Sequence, residues 1–101
     1  MKLLIITAVK TYEKLAVQLF KKADIPAFSH ADINGFKTPV QQDLIDNWFS
    51  SSNEHVRSVL FFSFSEGHKI DLLLSELEKL NNELQNDNPL RAVVLPIETI
   101  M

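Results

Sequence analysis

The chain has 101 residues, of which 46% are hydrophobic, and its formal net charge is −3. That length suits one domain over 1–101 with a modest core, and the apolar content excludes a chain too polar to fold. Acidic and basic residues are interspersed without a basic face, which argues against a nucleic-acid ligand; the lack of cysteine removes disulfides, thiol catalysis and thiolate metal sites.

Lys2-Leu3-Leu4-Ile5-Ile6-Thr7-Ala8-Val9 is a short run whose two alternating faces are both apolar. That pattern predicts a strand over 2–9 covered on both sides. A lysine followed by an apolar run resembles a secretory leader. The run is too short for one, no small-residue cleavage site follows, and an amphipathic helix begins at once. No stretch approaches the roughly 20 apolar residues of a membrane span. The expectation is a cytoplasmic protein without membrane insertion.

Tyr12, Leu15, Ala16, Leu19, Phe20 and Ala23 recur at helical spacing. Thr11 is placed to cap this helix, Glu13 meets the positive end of its dipole, and Lys21 and Lys22 suit its last turn. Pro26 blocks continuation, so the helix is predicted over about 11–23.

Residues 27–33 predict a second strand, with Phe28, His30 and Asp32 on one face and Ala27, Ser29, Ala31 and Ile33 on the other. Its polarity suits a sheet edge. Asn34-Gly35 is expected to end it, because both residues tolerate positive φ.

The segment from Gly35 to about Glu54 is the one long stretch that a strand–helix–strand pattern does not need, and function is expected there. Thr38-Pro39-Val40-Gln41 has the form of a capping box with proline at the first helical position. Val40, Leu44, Ile45, Trp48 and Phe49 then form an apolar stripe, which predicts a short helix at about 39–48. Ser50-Ser51-Ser52-Asn53 reads as a turn or a mobile segment.

Residues 55–64 predict a third strand, with Val56, Leu60, Phe62 and Phe64 on one face and Val59 and Phe61 on the other. Ser65-Glu66-Gly67 leads into a second long helix over about 68–85, whose buried stripe is Ile70, Leu73, Leu74, Leu77, Leu80 or Asn81, and Leu84. Asn86-Asp87-Asn88-Pro89 breaks it, and 90–97 predicts a fourth strand.

The order βαββαβ defines an α+β fold: a ferredoxin-like sandwich with an antiparallel four-stranded sheet and a short extra helix between strands two and three. Strands one and three, apolar on both faces, belong at its centre. Two helices cover one sheet face. The other presents Leu3 and Ile5, with Val59 and Phe61 or their alternates, as an apolar patch that predicts a homo-oligomer packed sheet to sheet.

The opening strand, the Ala23-Asp24-Ile25-Pro26 turn and above all Ile33-Asn34-Gly35-Phe36 resemble the nitrogen regulatory PII-like superfamily, in which a Gly-Phe pair opens the long T-loop. Leu95-Pro96-Ile97-Glu98 is similar to the terminal strand of divalent-cation-tolerance (CutA-like) trimers. The resemblance implies a homotrimer that binds a small effector in intersubunit clefts and relays its state through the T-loop to a protein partner, a transporter or an enzyme. Lys37, Thr38, Pro39 and Val40 depart from the family's glycine followed by Arg-Gln-Lys, and Asn86-Asp87-Asn88-Pro89 contains none of its phosphate-loop glycines. These departures argue against ATP and 2-oxoglutarate binding in the usual PII manner.

The candidate effector residues are therefore Gly35, Phe36 and Lys37, and Trp48 is the candidate contact for a protein partner. His30 and Asp32, two apart on one strand face, are the candidate ligands for a divalent metal. Glu54-His55 and Glu66-Gly67-His68 sit at element boundaries, where polar residues are expected anyway. No Walker motif, HExxH or nucleophile elbow is present, so no catalytic residues are assigned and the expectation is a non-enzyme. The alternatives are a CutA-like divalent-metal-binding trimer and a small ferredoxin-like oligomeric enzyme.

Overall fold

Strand β1, Lys2–Val9, turns Leu4, Ile6 and Ala8 into the core, and all three are buried. The computed structural model describes residues 1–36, 55–85 and 88–101. β1 leads through a single 3-10 turn, Lys10–Tyr12, into helix α1, Glu13–Lys22. Strand β2 is Ser29–Phe36, strand β3 is His55–Ser65, helix α2 is Gly67–Leu84, and strand β4 is Arg91–Pro96. The sheet order is β2-β3-β1-β4 with every neighbouring pair antiparallel. This is the predicted ferredoxin-like α+β arrangement, with the two doubly apolar strands at the centre.

The core lies on the face covered by α1 and α2. Leu4, Ile6, Ala8, Val59 and Phe61 from the sheet meet Ala16, Leu19 and Phe20 of α1 and Ile70, Leu73 and Leu77 of α2. Burying each large side chain contributes about 1.5–3 kcal/mol relative to leaving it in water. The period of two along β3 sends Leu60, Phe62 and Phe64 to the opposite face, in register with Thr7, Ile5 and Leu3 of β1. That face therefore carries the alternates rather than Val59 and Phe61. Phe62, Phe64 and Leu95 remain 38%, 55% and 43% exposed on it.

Three local details differ from expectation. Thr11 does not cap α1: it lies inside the 3-10 turn, and the helix N-cap is Tyr12, with no side-chain cap bond. The extra tight turn consumes the positions where a cap would have acted. At the other end, Ile25 N–H donates to Phe20 O and Asp24 N–H to Lys21 O, with Asp24 at φ 57°. Hydrogen bonding in a left-handed Schellman turn thus closes the helix before Pro26 is reached. Finally, β2 runs through Asn34-Gly35 instead of ending there. Asn34, Gly35 and Phe36 pair with Arg57, Val56 and His55, and none of the described glycines has positive φ. Ladder pairing to β3 outweighs the local turn preference.

The predicted helix at 39–48, its Thr38–Gln41 capping box, Lys37, Trp48 and Phe49 lie outside the described residues.

Candidate functional site

Gly35 is buried and Phe36 is 65% exposed at the end of β2, where the chain leaves the sheet for the connector. Glycine inside a strand marks a place where another backbone or a ligand can come close. Beside it, Lys10, Asp32, Ile33, Asn34, Arg57 and Ser58 line a cavity of about 290 Å³. The 3-10 turn supplies Lys10, β2 supplies Asp32 to Asn34, and β3 supplies Arg57 and Ser58. Sequence reasoning singled out Asp32 here and passed over both cations. Lys10 directly follows the apolar run of β1, and Arg57 lies in the first residues of β3, so each cation stands near a strand end.

The charges in this region are linked. Lys10 Nζ donates to Asp32 Oδ1 at 2.6 Å and contacts Glu13 Oε2 at 2.8 Å. The hydrogen bond to Asp32, then that to Glu13, raises the Lys10 pKa above its ordinary value. The same ammonium lowers the Asp32 carboxyl, with smaller attraction from Arg57 and His30. His30 Nδ1 lies 3.6 Å from Glu13 Oε1, and its ring sits 5.5 Å from that of Phe61.

His30 and Asp32 share the helix-side face of β2, as their spacing required. Their nearest charged neighbours differ: Glu13 for His30 and Lys10 for Asp32. Among the described residues no group of three or more His, Asp or Glu side chains converges on a metal position. A cation at His30 and Asp32 would need further ligands from elsewhere. Glu66 and His68 meet at 3.4 Å, both well exposed at the start of α2.

Two further features border the open sheet face. Arg91, at the start of β4, stands in register with Thr7, and its Nε is buried without a hydrogen-bond partner among the described residues. Its signal in the sequence was a single cation opening an otherwise apolar strand. At the opposite end of β2, Pro26 to Ser29 and Phe62 to Phe64 line an open cleft of about 460 Å³. Phe62 and Phe64 meet edge to face there at 6.2 Å. Such rings offer flat apolar surface to a planar ligand.

The fold is similar to that of solved DUF3240 and PII-like structures over nearly the whole chain. A DUF3240 family protein from Shewanella baltica OS155 superposes with a TM-score of 0.67 at 19% identity, covering 99% of this chain and 92% of that one. The PII-like protein CPII from Thiomonas intermedia K12, bound to ADP, AMP and acetate, gives 0.65 at 14% identity over 95% of this chain and 84% of that one. A putative PII-like signalling protein from Thermus thermophilus gives 0.55 at 16% identity, covering 92% of this chain and 82% of that one. These superpositions establish a shared fold. No family model and no curated protein matches the sequence. No helix among the described residues is long and apolar enough to cross a membrane.

Proposed function

We propose that this chain is a PII-like regulatory protein that binds a small anionic effector and passes the bound state to a protein partner. The observation that carries the reading is the polar cavity beside Gly35. Its two cations, Lys10 and Arg57, lie where β2 ends and the 35–54 connector begins. An anion held there touches the strand that feeds the connector, and this adjacency is what supports a link between binding and the connector in this reading. Gly35, Phe36 and Lys37 bound the effector site, and Trp48 is the proposed contact for the partner, a transporter or an enzyme.

The working unit is a homotrimer in this reading. The apolar face of Leu3, Ile5, Phe62, Phe64, Val93 and Leu95 favours association, since exposed apolar surface of this extent is costly in water. Arg91, with its buried Nε on that same face, would then supply a cation at the seam between subunits. Two solved structures of the similar CPII contain ADP and AMP with acetate or with bicarbonate. The effector classes we propose are accordingly a small carboxylate or bicarbonate, with an adenine nucleotide as companion in an intersubunit cleft. A divalent cation at His30 and Asp32, completed by ligands from another subunit, is the second reading.

A thermal-shift screen tests these readings directly, because a ligand that binds only the folded state raises the melting temperature by mass action. Acetate, bicarbonate, 2-oxoglutarate, ADP, AMP, ATP and divalent metals are the probes. A rise with acetate, bicarbonate or an adenine nucleotide is the expected result. A rise with metal alone would replace the effector reading by the metal one. Light scattering on the same samples reads the oligomer, and a monomer would remove the intersubunit cleft.

A further inference from the structure

The cavity beside Gly35 already contains a carboxylate, and it belongs to the chain itself. Asp32 Oδ1 accepts from Lys10 Nζ at 2.6 Å, and Arg57 attracts the same carboxylate from across the lining. Glu13 also holds Lys10, at 2.8 Å, but from the α1 side, outside the lining. Within the lining, two cations face one carboxylate, with Asn34 on the same face of the sheet as Asp32 and Arg57. With Glu13 counted, two cations are balanced by two carboxylates, so an anion enters only by displacing one of them, and one displaced carboxylate makes room for one negative charge. The groups present are those that recognise a planar oxyanion: an ammonium and a guanidinium. That Lys10 closes on Asp32 shows that its ammonium can reach a carboxylate in this cavity.

We propose that Asp32 is an internal competitor for the effector, so that a small carboxylate or bicarbonate monoanion enters by taking over Lys10 Nζ from Asp32, with Arg57 as its second cation. This deepens the effector reading above and rests on it; the added element is the gate residue. The exchange breaks one charge-assisted hydrogen bond and forms another, and no proton needs to move. Its consequence reaches the connector through a short path. Asp32 lies three residues before Gly35 on β2, and its contact with Lys10 ties that strand to the turn after β1. Released by the incoming anion, Asp32 no longer makes that tie, just before the chain leaves the sheet. Competition also sets sensitivity: the effector must displace a tethered rival, which weakens apparent binding to the wild-type site by about threefold.

The test is calorimetric titration of the full chain with sodium acetate and, separately, sodium bicarbonate, at constant ionic strength. The proteins are wild type, Asp32→Asn, Lys10→Met, the double variant, and Asp71→Asn, an exposed α2 substitution with the same change in net charge. Asp32 is 63% exposed, so its amide variant should fold, and a melting curve checks this. Asp32→Asn is expected to bind about threefold more tightly, the scale of removing one exposed ion-pair competitor. Lys10→Met and the double variant are expected to bind weakly and equally, and Asp71→Asn to match wild type. Wild-type binding that Asp32→Asn leaves unchanged or weakens would overturn the competitor role while the effector reading stands. Tightening that survives in the double variant, or appears equally in Asp71→Asn, would overturn exchange at Lys10. If no protein binds either anion, the effector reading fails and this proposal fails with it.

Discussion

Asn81 of α2 grips both backbone groups of Leu90: its Nδ2 donates to Leu90 O at 3.0 Å, and its Oδ1 accepts from Leu90 N–H at 2.9 Å. One amide side chain thus satisfies the donor and acceptor of the residue just before β4. Leu90 is itself 1% exposed, so these backbone groups have little access to water. Asn81→Ala would leave both unpaired and cost about 1–3 kcal/mol. On a domain of this size that lowers the melting temperature by on the order of 10 °C. Because Arg91 follows Leu90 directly, the same variant should also weaken any anion bound at Arg91. A melting temperature unchanged by Asn81→Ala would show that the clamp is energetically idle.

The two faces of β3 predict opposite consequences for neighbouring phenylalanines. Phe61 is fully buried, 5.7 Å from the ring of Phe20, which in turn stacks on Phe28 at 4.3 Å. Phe61→Ala therefore removes the centre of an aromatic cluster and is expected to cost about 3–5 kcal/mol, read as a lower denaturation midpoint. Phe64 stands on the open face at 55% exposure. Phe64→Glu should leave the subunit fold nearly intact but place a charge within the proposed subunit contact. Sedimentation is expected to show a shift toward monomer. An unchanged oligomer would separate that face from assembly.

The central place of β1 and β3 was legible in the sequence because their period of two leaves apolar side chains on each face. Both strands are apolar on both faces, however, so the pattern alone did not say whether Phe61 or Phe62 met the helices. Register decided it: Ile6 pairs with Phe61, and Ile6 faces α1 and α2. Asn34-Gly35 misled for a different reason. Local turn preference is a property of the dipeptide, whereas the ladder to Arg57 and Val56 is a long-range contact that no local pattern contains. The candidate site was half legible. Gly35, Phe36 and Asp32 stood out by motif and spacing, but Lys10, Arg57 and Arg91 are ordinary cations until the sheet brings Lys10 and Arg57 together and buries the Nε of Arg91. The choice between Leu80 and Asn81 was ambiguous by periodicity, and the structure uses Asn81 as a clamp.

Backbone conformation gives a pair of stabilising substitutions that touch no side-chain contact. Asp24 occupies the left-handed region at φ 57°, where glycine carries no Cβ penalty. Asp24→Gly relieves about 1 kcal/mol of strain and returns part of it as extra freedom in the unfolded chain, so a net gain of roughly 0.5 kcal/mol is expected. Gly67 opens α2 with ordinary φ, and a Cβ there would meet nothing within 4 Å. Gly67→Ala should stabilise by about 0.5–1 kcal/mol for the converse reason. Chemical denaturation with an unchanged m-value is the appropriate reading, since neither substitution alters the surface exposed on unfolding. Destabilisation by Gly67→Ala would mean that the first turn of α2 makes a contact that the described residues do not account for.

The Lys10–Asp32 pair makes a prediction about pH whose sign follows from two opposite shifts. Asp32 titrates below its ordinary value of 3.8 because Lys10 hydrogen-bonds its ionised form. Its contribution to stability is present above that ordinary value and is lost as pH falls through the lowered folded value. Lys10 titrates above its ordinary value of 10.5, chiefly through Asp32 and then Glu13. Its contribution is present below 10.5 and is lost as pH rises through the raised folded value. The coupling between the two side chains should therefore form a plateau across neutral pH and fade at both ends. A double-mutant cycle of Lys10→Met and Asp32→Asn isolates it from the Glu13 contact, which only the lysine substitution removes. Because both groups are exposed, the coupling should also shrink as salt is added. Melting curves of the four proteins at acid, neutral and alkaline pH read it directly. Coupling that stays constant into strong acid would show that the 2.6 Å contact does not depend on the ionised carboxylate, which would remove the electrostatic basis for anion exchange at Lys10.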